Sequence, residues 1–246
     1  MNGQVLDFGT TGFLRFSNLV MYDRQSESWW QEFGGEAIVG ELVGTELEQL
    51  PLSIVSWEEF KAAFPEGKVL SRDTGNRRDY GRNPYRGYDS GNPFMYDGPP
   101  DDRLPALERV VAILIDEEAL AVPFSVLERE PVVRYTLEEQ DLVVFFKKGT
   151  ASSLDAGDIA EGRDVGATGV FDPNLEGQKL SFKAEGDEII DEQTGSTWNL
   201  FGQAISGPLT GKELAPIPHR GSQLWFSWVV WQPDTFIYAG EDATGP

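Results

Sequence analysis

Six residues of one stretch carry side chains suited to recognising a small molecule: Arg72, Asp73, Arg77, Tyr80, Arg82 and Tyr85. Arginine offers planar pairs of donors, and tyrosine offers a ring face with a hydroxyl. Together they could hold a small anionic or sugar-like ligand. The competing reading is internal: Arg72 and Asp73 pair with each other, and the tyrosines pin the stretch to the body. His219 is the single histidine. It follows Pro216 and Pro218 and precedes a tryptophan-rich run. A role in metal binding or proton transfer would need partners, and a lone histidine is more often structural. The expected ligand-binding set is therefore Arg72, Asp73, Tyr80, Arg82, Tyr85 and His219, with no metal, no cofactor and no assigned catalytic residue.

Other chemistry is poorly supported. The chain has no cysteine, which removes disulfides, thiolate metal sites and a thiol nucleophile. Asp97, Asp101 and Asp102 sit in a Gly/Pro turn, but their spacing is not that of a calcium loop. Ser17, Ser26 and Ser222 lack the context of a nucleophile elbow. No glycine-rich phosphate loop precedes a helix. Carboxylate pairs carry no information where Asp and Glu number 41.

The net charge is -21, and of 20 basic residues only seven are lysine. Such a field opposes binding to nucleic acid and to anionic lipid. An acidic, lysine-poor surface also suits concentrated salt, where screening removes self-repulsion. No stretch approaches the roughly 18 apolar residues that span a bilayer. No basic start followed by an apolar run marks a signal peptide, and the compartment stays open.

The elements that must position these residues are organised around an internal repeat. Residues 23–51 read DRQSESWWQEFGGEAIVGELVGTELEQLP, and residues 191–218 read DEQTGSTWNLFGQAISGPLTGKELAPIP. Asp23, Trp30, Phe33, Gly40 and Pro51 match Asp191, Trp198, Phe201, Gly207 and Pro218, and roughly half the aligned positions are identical. Trp30 and Trp198 read as core rather than as ligand platforms. Alternation predicts strands at residues 5–8 and 19–22, and a further strand starting at Val69 and Leu70. Ser56, with Glu59 three residues on, predicts a capped helix over residues 56–64 with Trp57, Phe60 and Phe64 on its apolar face. The matching run of the second copy, LWFSWVVWQPD, fits a helix or a strand, and its Trp-Val-Val-Trp part favours a buried β segment. Residues 71–103 are rich in Gly, Pro, Asp, Arg and Tyr and form a long irregular excursion. Residues 109–115 and 142–146 are buried strands, and residues 152–164 a polar loop.

Several motifs act together: SNLVMYDRQ, SRDTG at residues 71–75, RDYGRNPY at 78–85, DDRLPALERV at 101–110, GSTWNLFGQAISGPL, and Pro218-His219. In these the chain resembles the uncharacterised bacterial and archaeal family called domain of unknown function 3179. The resemblance implies no activity. It implies that members begin earlier, with an export signal and a segment carrying a YCPLCGTA-like motif. In the second copy VFFKKGTA stands in that place, with Phe145 and Lys148 where two cysteines would be. On this resemblance the first repeat lacks its leading part.

The expected fold is mainly β, built from two pseudo-symmetric β-rich repeats with a few short helices: residues 1–103 with the Arg/Tyr loop, and residues 104–246. The expected function is a ligand- or partner-binding module. The alternatives are an enzyme with its site between the Arg/Tyr loop and His219, and a structural piece completed by a partner. A homo-dimer through the incomplete first repeat belongs to these expectations, as does the absence of nucleic-acid binding and of membrane insertion.

Overall fold

The computed structural model describes residues 3–240. It is mainly β. Strands β1 (Phe8–Arg15), β2 (Asn18–Asp23), β3 (Trp29–Gln31) and β4 (Glu36–Val39) form an antiparallel meander in sequence order. The first strand therefore starts where the predicted one, residues 5–8, ends.

Helix α1 (Trp57–Ala63) follows, and the Ser56 hydroxyl accepts the Glu59 N–H. The other half of the predicted capping box is replaced: the Glu59 carboxylate takes Lys147 Nζ at 2.6 Å instead. The aromatic face of α1 is not core. Trp57 is 51% exposed, and Trp57, Phe60 and Phe64 pack along one another. Val69 and Leu70 start no strand; Leu70 is 89% exposed. With no partner strand to take its N–H and C=O groups, an apolar pair alone does not make one.

A hairpin of β5 (Arg109–Ile115) and β6 (Glu118–Pro123) leads through the short helix α2 (Phe124–Leu127) to β7 (Val132–Leu137), β8 (Gln140–Lys147) and β9 (Ala167–Phe171). The unbroken apolar runs of β5 and β8 have one cause: each strand feeds a different core on each face. On β5, Val111 and Ile113 enter the central core, while Val110 and Ala112 pack with Trp225 and Trp228. On β8, Val144 and Phe146 enter the central core, while Val143 and Phe145 pack with Trp198.

A two-stranded ribbon, β10 (Asn174–Leu175) with β11 (Gln178–Lys179), precedes a second meander: β12 (Phe182–Glu185), β13 (Glu188–Asp191), β14 (Thr197–Trp198) and β15 (Ala204–Ser206). Strand β16 (Arg220–Leu224) then pairs with β5, helix α3 (Trp225–Val229) follows, and β17 (Phe236–Ile237) joins β6 in parallel. The expectation of a β segment here is corrected for residues 225–229. Four of the five are apolar because they are packed: Trp225, Phe226, Trp228 and Val229 are all buried, and Ser227 alone is not.

The two meanders use the same bonds at matched positions. Trp30 Nε1 donates to Asp23 at 2.9 Å, and Trp198 Nε1 to Asp191 at 3.1 Å. Ser26 N–H and Thr194 N–H each donate to the matched aspartate at 2.6 Å. The Ser28 and Ser196 hydroxyls accept the Leu42 and Leu209 N–H groups. Phe8 meets Trp30 edge-on at 5.6 Å, as Phe182 meets Trp198 at 5.6 Å. Gly40 and Gly207 have positive φ, and a Cβ on either would lie within 2.8 Å of Ser28 or Ser196 backbone, so both positions need glycine.

The packing between the meanders and the helices is exchanged. Phe33 of the first meander lies against Trp228, in α3, and Trp231, beyond it, whereas Phe201 of the second lies against Phe64, at the end of α1. The excursion over residues 71–103 runs from one half to the other. Ser17 Oγ donates to Met95 O at 2.5 Å, while Asn83, Gly87 and Tyr88 donate backbone N–H groups to Gly157, Asp155 and Leu154. The polar loop over residues 152–164 thus serves as its dock and includes a 3-10 turn, Ile159–Glu161.

Candidate functional site

Between the first meander and α3 lies a cavity of about 290 Å³. Its wall is a stack made from distant parts of the chain. Arg15, the last residue of β1, places Cζ 4.8 Å from the Trp231 ring centroid. Trp231 stacks on Phe33 at 5.5 Å and 17°. Arg220, the first residue of β16, places Cζ 4.2 Å from the Phe33 centroid. Each guanidinium is attracted to the negative face of its ring.

Two residues that line the cavity hold a buried polar atom with no partner among the described residues: Gln31 at Oε1 and Trp231 at Nε1. The orientation of the Gln31 amide follows from its neighbours. Asn18 Nδ2 donates to Glu32, so Asn18 Oδ1 must accept; it accepts both Gln31 Nε2 and the Phe33 N–H. That leaves the Gln31 carbonyl oxygen over, on a residue only 2% exposed. A buried acceptor without a donor costs about 1–3 kcal/mol, and so does a buried indole N–H without an acceptor. In the second meander the matched residue, Asn199, spends its carbonyl on the Phe201 and Gln203 N–H groups and its amide on Gln203 Oε1.

His219 lines the same cavity and is buried. Nδ1 is 2.8 Å from the Ile217 carbonyl, which only accepts, so Nδ1 carries the proton. Nε2 is 3.2 Å from Ser53 Oγ and accepts its hydroxyl hydrogen. Burial pushes the imidazole pKa below its ordinary value, against the opposing pull of the Ile217 hydrogen bond. The ring is therefore neutral near pH 7.

The loop residues lie elsewhere. Arg72 and Asp73 are exposed, and no ion pair joins them among the described residues. Tyr80 shares a hydrogen bond with Thr74 at 2.6 Å, Arg82 approaches Asp79 at 3.7 Å, and Tyr85 is 61% exposed with its ring edge-on to Tyr88. None of the five lines the cavity of His219. What anchors the loop is Asp89, which gives no signal in the sequence. Its buried carboxylate takes Arg109 at 2.5 Å, Ser152 at 2.6 Å and Arg163 at 3.0 Å. Burial raises its pKa, but those hydrogen bonds and charges prevail and hold it below the usual carboxylate range.

The residues that reasoning from sequence missed are Arg15, Gln31, Arg220 and Trp231. One signal was available. Where the second copy has Asn199 the first has Gln31, and where the first has Ala63 the second has Trp231; the repeat breaks at these two residues of the cavity.

Among the described residues, no group of three His, Asp or Glu side chains could hold a metal ion, and no helix is long and apolar enough to cross a membrane. Asp101 pairs with Arg103 and accepts the Trp225 indole N–H. No curated protein and no solved structure matches the chain. A family model matches residues 1–235, so the chain belongs to the family described as protein of unknown function, DUF3179.

Proposed function

We propose that the chain is a binding module for a small anionic or sugar-like molecule, taken up in the cavity between the first meander and α3. The observation that carries this reading is that two residues lining one cavity, Gln31 and Trp231, each hold a buried polar side-chain atom with no partner among the described residues. A protein that leaves a buried acceptor and a buried donor open beside a cavity of ligand size invites something that pairs with both. Of the residues expected to bind, His219 belongs to this site. Arg72, Asp73, Tyr80, Arg82 and Tyr85 stay proposed as an exposed surface apart from it. The matched bonds of the two meanders support two related units, residues 1–103 and 104–246. Self-association would use the first of them, whose Phe13 and Leu14 are exposed.

The test is thermal unfolding across a panel of small metabolites. A binder raises the melting temperature by mass action, and Gln31→Leu and Trp231→Phe should abolish the rise. If no compound stabilises the protein, the reading fails.

A second reading rests on Ser53 and the neutral His219, a hydroxyl and a base within hydrogen-bond reach. It makes the protein a hydrolase with Ser53 as nucleophile. Labelling of Ser53 by a fluorophosphonate, lost in His219→Gln, would favour it. An unlabelled Ser53 would leave the pair as a structural hydrogen bond.

A further inference from the structure

We infer that the cavity takes a hydroxylated carboxylate, a small hydroxy acid or sugar acid. Its carboxylate would meet the guanidinium edges of Arg15 and Arg220, and a hydroxyl would meet Gln31 Oε1 or Trp231 Nε1; this rests on the binding-module reading above.

The charge argument comes first. The chain holds 41 acidic residues against 20 basic ones, 13 of them arginine, and five of the arginines have a carboxylate partner among the described residues. Arg24, Arg82, Arg103, Arg109 and Arg163 each have one within 4 Å. Arg15 and Arg220 do not, among the described residues, and both line the cavity. Both hydrogen bonds of Arg220 leave from Nη2, to Phe33 O and to Gln49 Oε1. Its Nε and Nη1 have no partner among the described residues, although the side chain is half-buried. The guanidinium of Arg15 makes only ring contacts, to Phe16 and Trp231. An arginine lying on a ring keeps its N–H edge free in the plane of the group, the arrangement that grips a planar carboxylate.

Other charges facing the site are few. Glu36 lines it from the exposed rim. Glu32 supports the charge of Arg220 from a distance. His219 is neutral. The lining therefore carries two cations and one carboxylate, which suits a singly charged ligand better than a doubly charged one.

The hydroxyl argument is separate. Gln31 Oε1 can only accept, and Trp231 Nε1 can only donate. A carboxylate alone satisfies the indole and leaves the amide oxygen open. An aliphatic group satisfies neither. A hydroxyl both donates and accepts, so it can serve either atom, and a ligand with a hydroxyl beside its carboxylate answers the whole wall. A site built for a buried hydrogen bond also rejects the analogue that lacks the group.

The experiment is calorimetric titration of the full chain with four probes. Glucuronate carries both features, glucose only hydroxyls, cyclohexanecarboxylate only the carboxylate, and glucose 6-phosphate a doubly charged anion with hydroxyls. Glucuronate is expected to bind at least tenfold more tightly than each of the other three. Arg220→Gln should weaken it at least tenfold. Arg15→Gln, on an exposed side chain that does not threaten folding, should weaken it several-fold. Gln31→Leu, which removes the acceptor that a carboxylate cannot serve, should bring glucuronate close to cyclohexanecarboxylate. Glucose binding as well as glucuronate would overturn the carboxylate, and cyclohexanecarboxylate binding as well would overturn the hydroxyl. Tighter glucose 6-phosphate would overturn the single charge. No heat from any probe would overturn the ligand class. The binding-module reading is decided separately, by whether another compound in the metabolite panel stabilises the protein through Gln31 and Trp231.

Discussion

Replacing Asp191 by asparagine tests the meander at its centre. The carboxylate is fully buried. Oδ1 accepts the Thr194 N–H at 2.6 Å. Oδ2 accepts the Thr194 hydroxyl at 2.8 Å, the Ser196 N–H at 3.1 Å and Trp198 Nε1 at 3.1 Å. Every neighbour is a donor. Burial pushes this carboxyl up, but the hydrogen bonds from Trp198, Thr194 and Ser196 outweigh it and hold the pKa below its ordinary value. An asparagine of the same shape must turn an NH₂ toward at least one of those donors. That leaves a buried donor unpaired, at about 1–3 kcal/mol, and strips the remaining bonds of charge assistance. Bonds to a charged group contribute about 1.5–3 kcal/mol and neutral ones about 0.5–1.5, so the total loss is about 3–5 kcal/mol. For a chain of this size that lowers the melting temperature by about 2–4 °C per kcal/mol. The assay is urea unfolding followed by circular dichroism for wild type, Asp191→Asn, Trp198→Phe and the double variant. The pH arm has a definite sign. A carboxyl held low in the fold contributes stability that is whole above its unfolded pKa, near 3.9, and is lost as pH falls through the folded value. Wild type and variant should converge in acid. A loss under 1 kcal/mol at pH 7, or a gap that persists in acid, would refute the reasoning. Asp23→Asn, with the matched donors, should behave alike.

Three further outcomes are expected. Asp89→Ala leaves Arg109 buried without its carboxylate; it should cost about 3–5 kcal/mol and open residues 71–103 to limited proteolysis, and an uncut loop would show that its backbone bonds suffice. His219 is held below its ordinary pKa by burial, so below pH ~6.5 the unfolded chain takes up the proton first and stability falls; His219→Gln should flatten that part of the pH profile, and an unchanged slope would place the titration elsewhere. The net charge of -21 predicts a melting temperature that climbs steeply with KCl as repulsion is screened, whereas a flat response would discard adaptation to salt.

The fold was legible where a local rule and the tertiary structure agree. Ser56 caps α1 because a serine hydroxyl satisfies an otherwise open N–H whatever lies around it. The duplicated Asp, Trp and Gly positions were legible because each copy closes its own turn. The misreadings are tertiary. Residues 225–229 fit a helix or a strand, and tryptophan and valine tip the reading toward a sheet, yet burial of four of the five residues in a helix outweighs propensity. Val69 and Leu70 look like a strand start, but no neighbour pairs with them. The site was the least legible part. Arg15, Gln31, Arg220 and Trp231 are separated by up to 216 positions (231 − 15), and only the crossing of the meander with α3 brings them together. Composition instead drew the eye to residues 71–103, where arginine and tyrosine are dense but exposed.

On the binding-module reading, the differences between the two meanders account for a cavity on one side alone. Two meanders with the same internal bonds present similar outer surfaces to two helices, so each crossing starts with the same opportunity. At the second crossing Phe201 meets Phe64, Asn199 closes its own turn, and Ala63 stands where Trp231 stands in the other. Every polar atom of Asn199 is spent there. At the first crossing the longer Gln31 hands its amide nitrogen to Asn18 and keeps its oxygen free. Counting register from Pro51 and Pro218, Arg220 replaces Ser53, and a cation enters where the other copy has a hydroxyl. The cost of leaving Gln31 Oε1 and Trp231 Nε1 open can be carried because Asp23 and Asp191 secure each meander independently of what happens at its outer edge. The crossing that closes on itself and the crossing that holds the cavity share Phe33 and Gly34 with Phe201 and Gly202, so what separates them is Gln31 against Asn199 and Trp231 against Ala63.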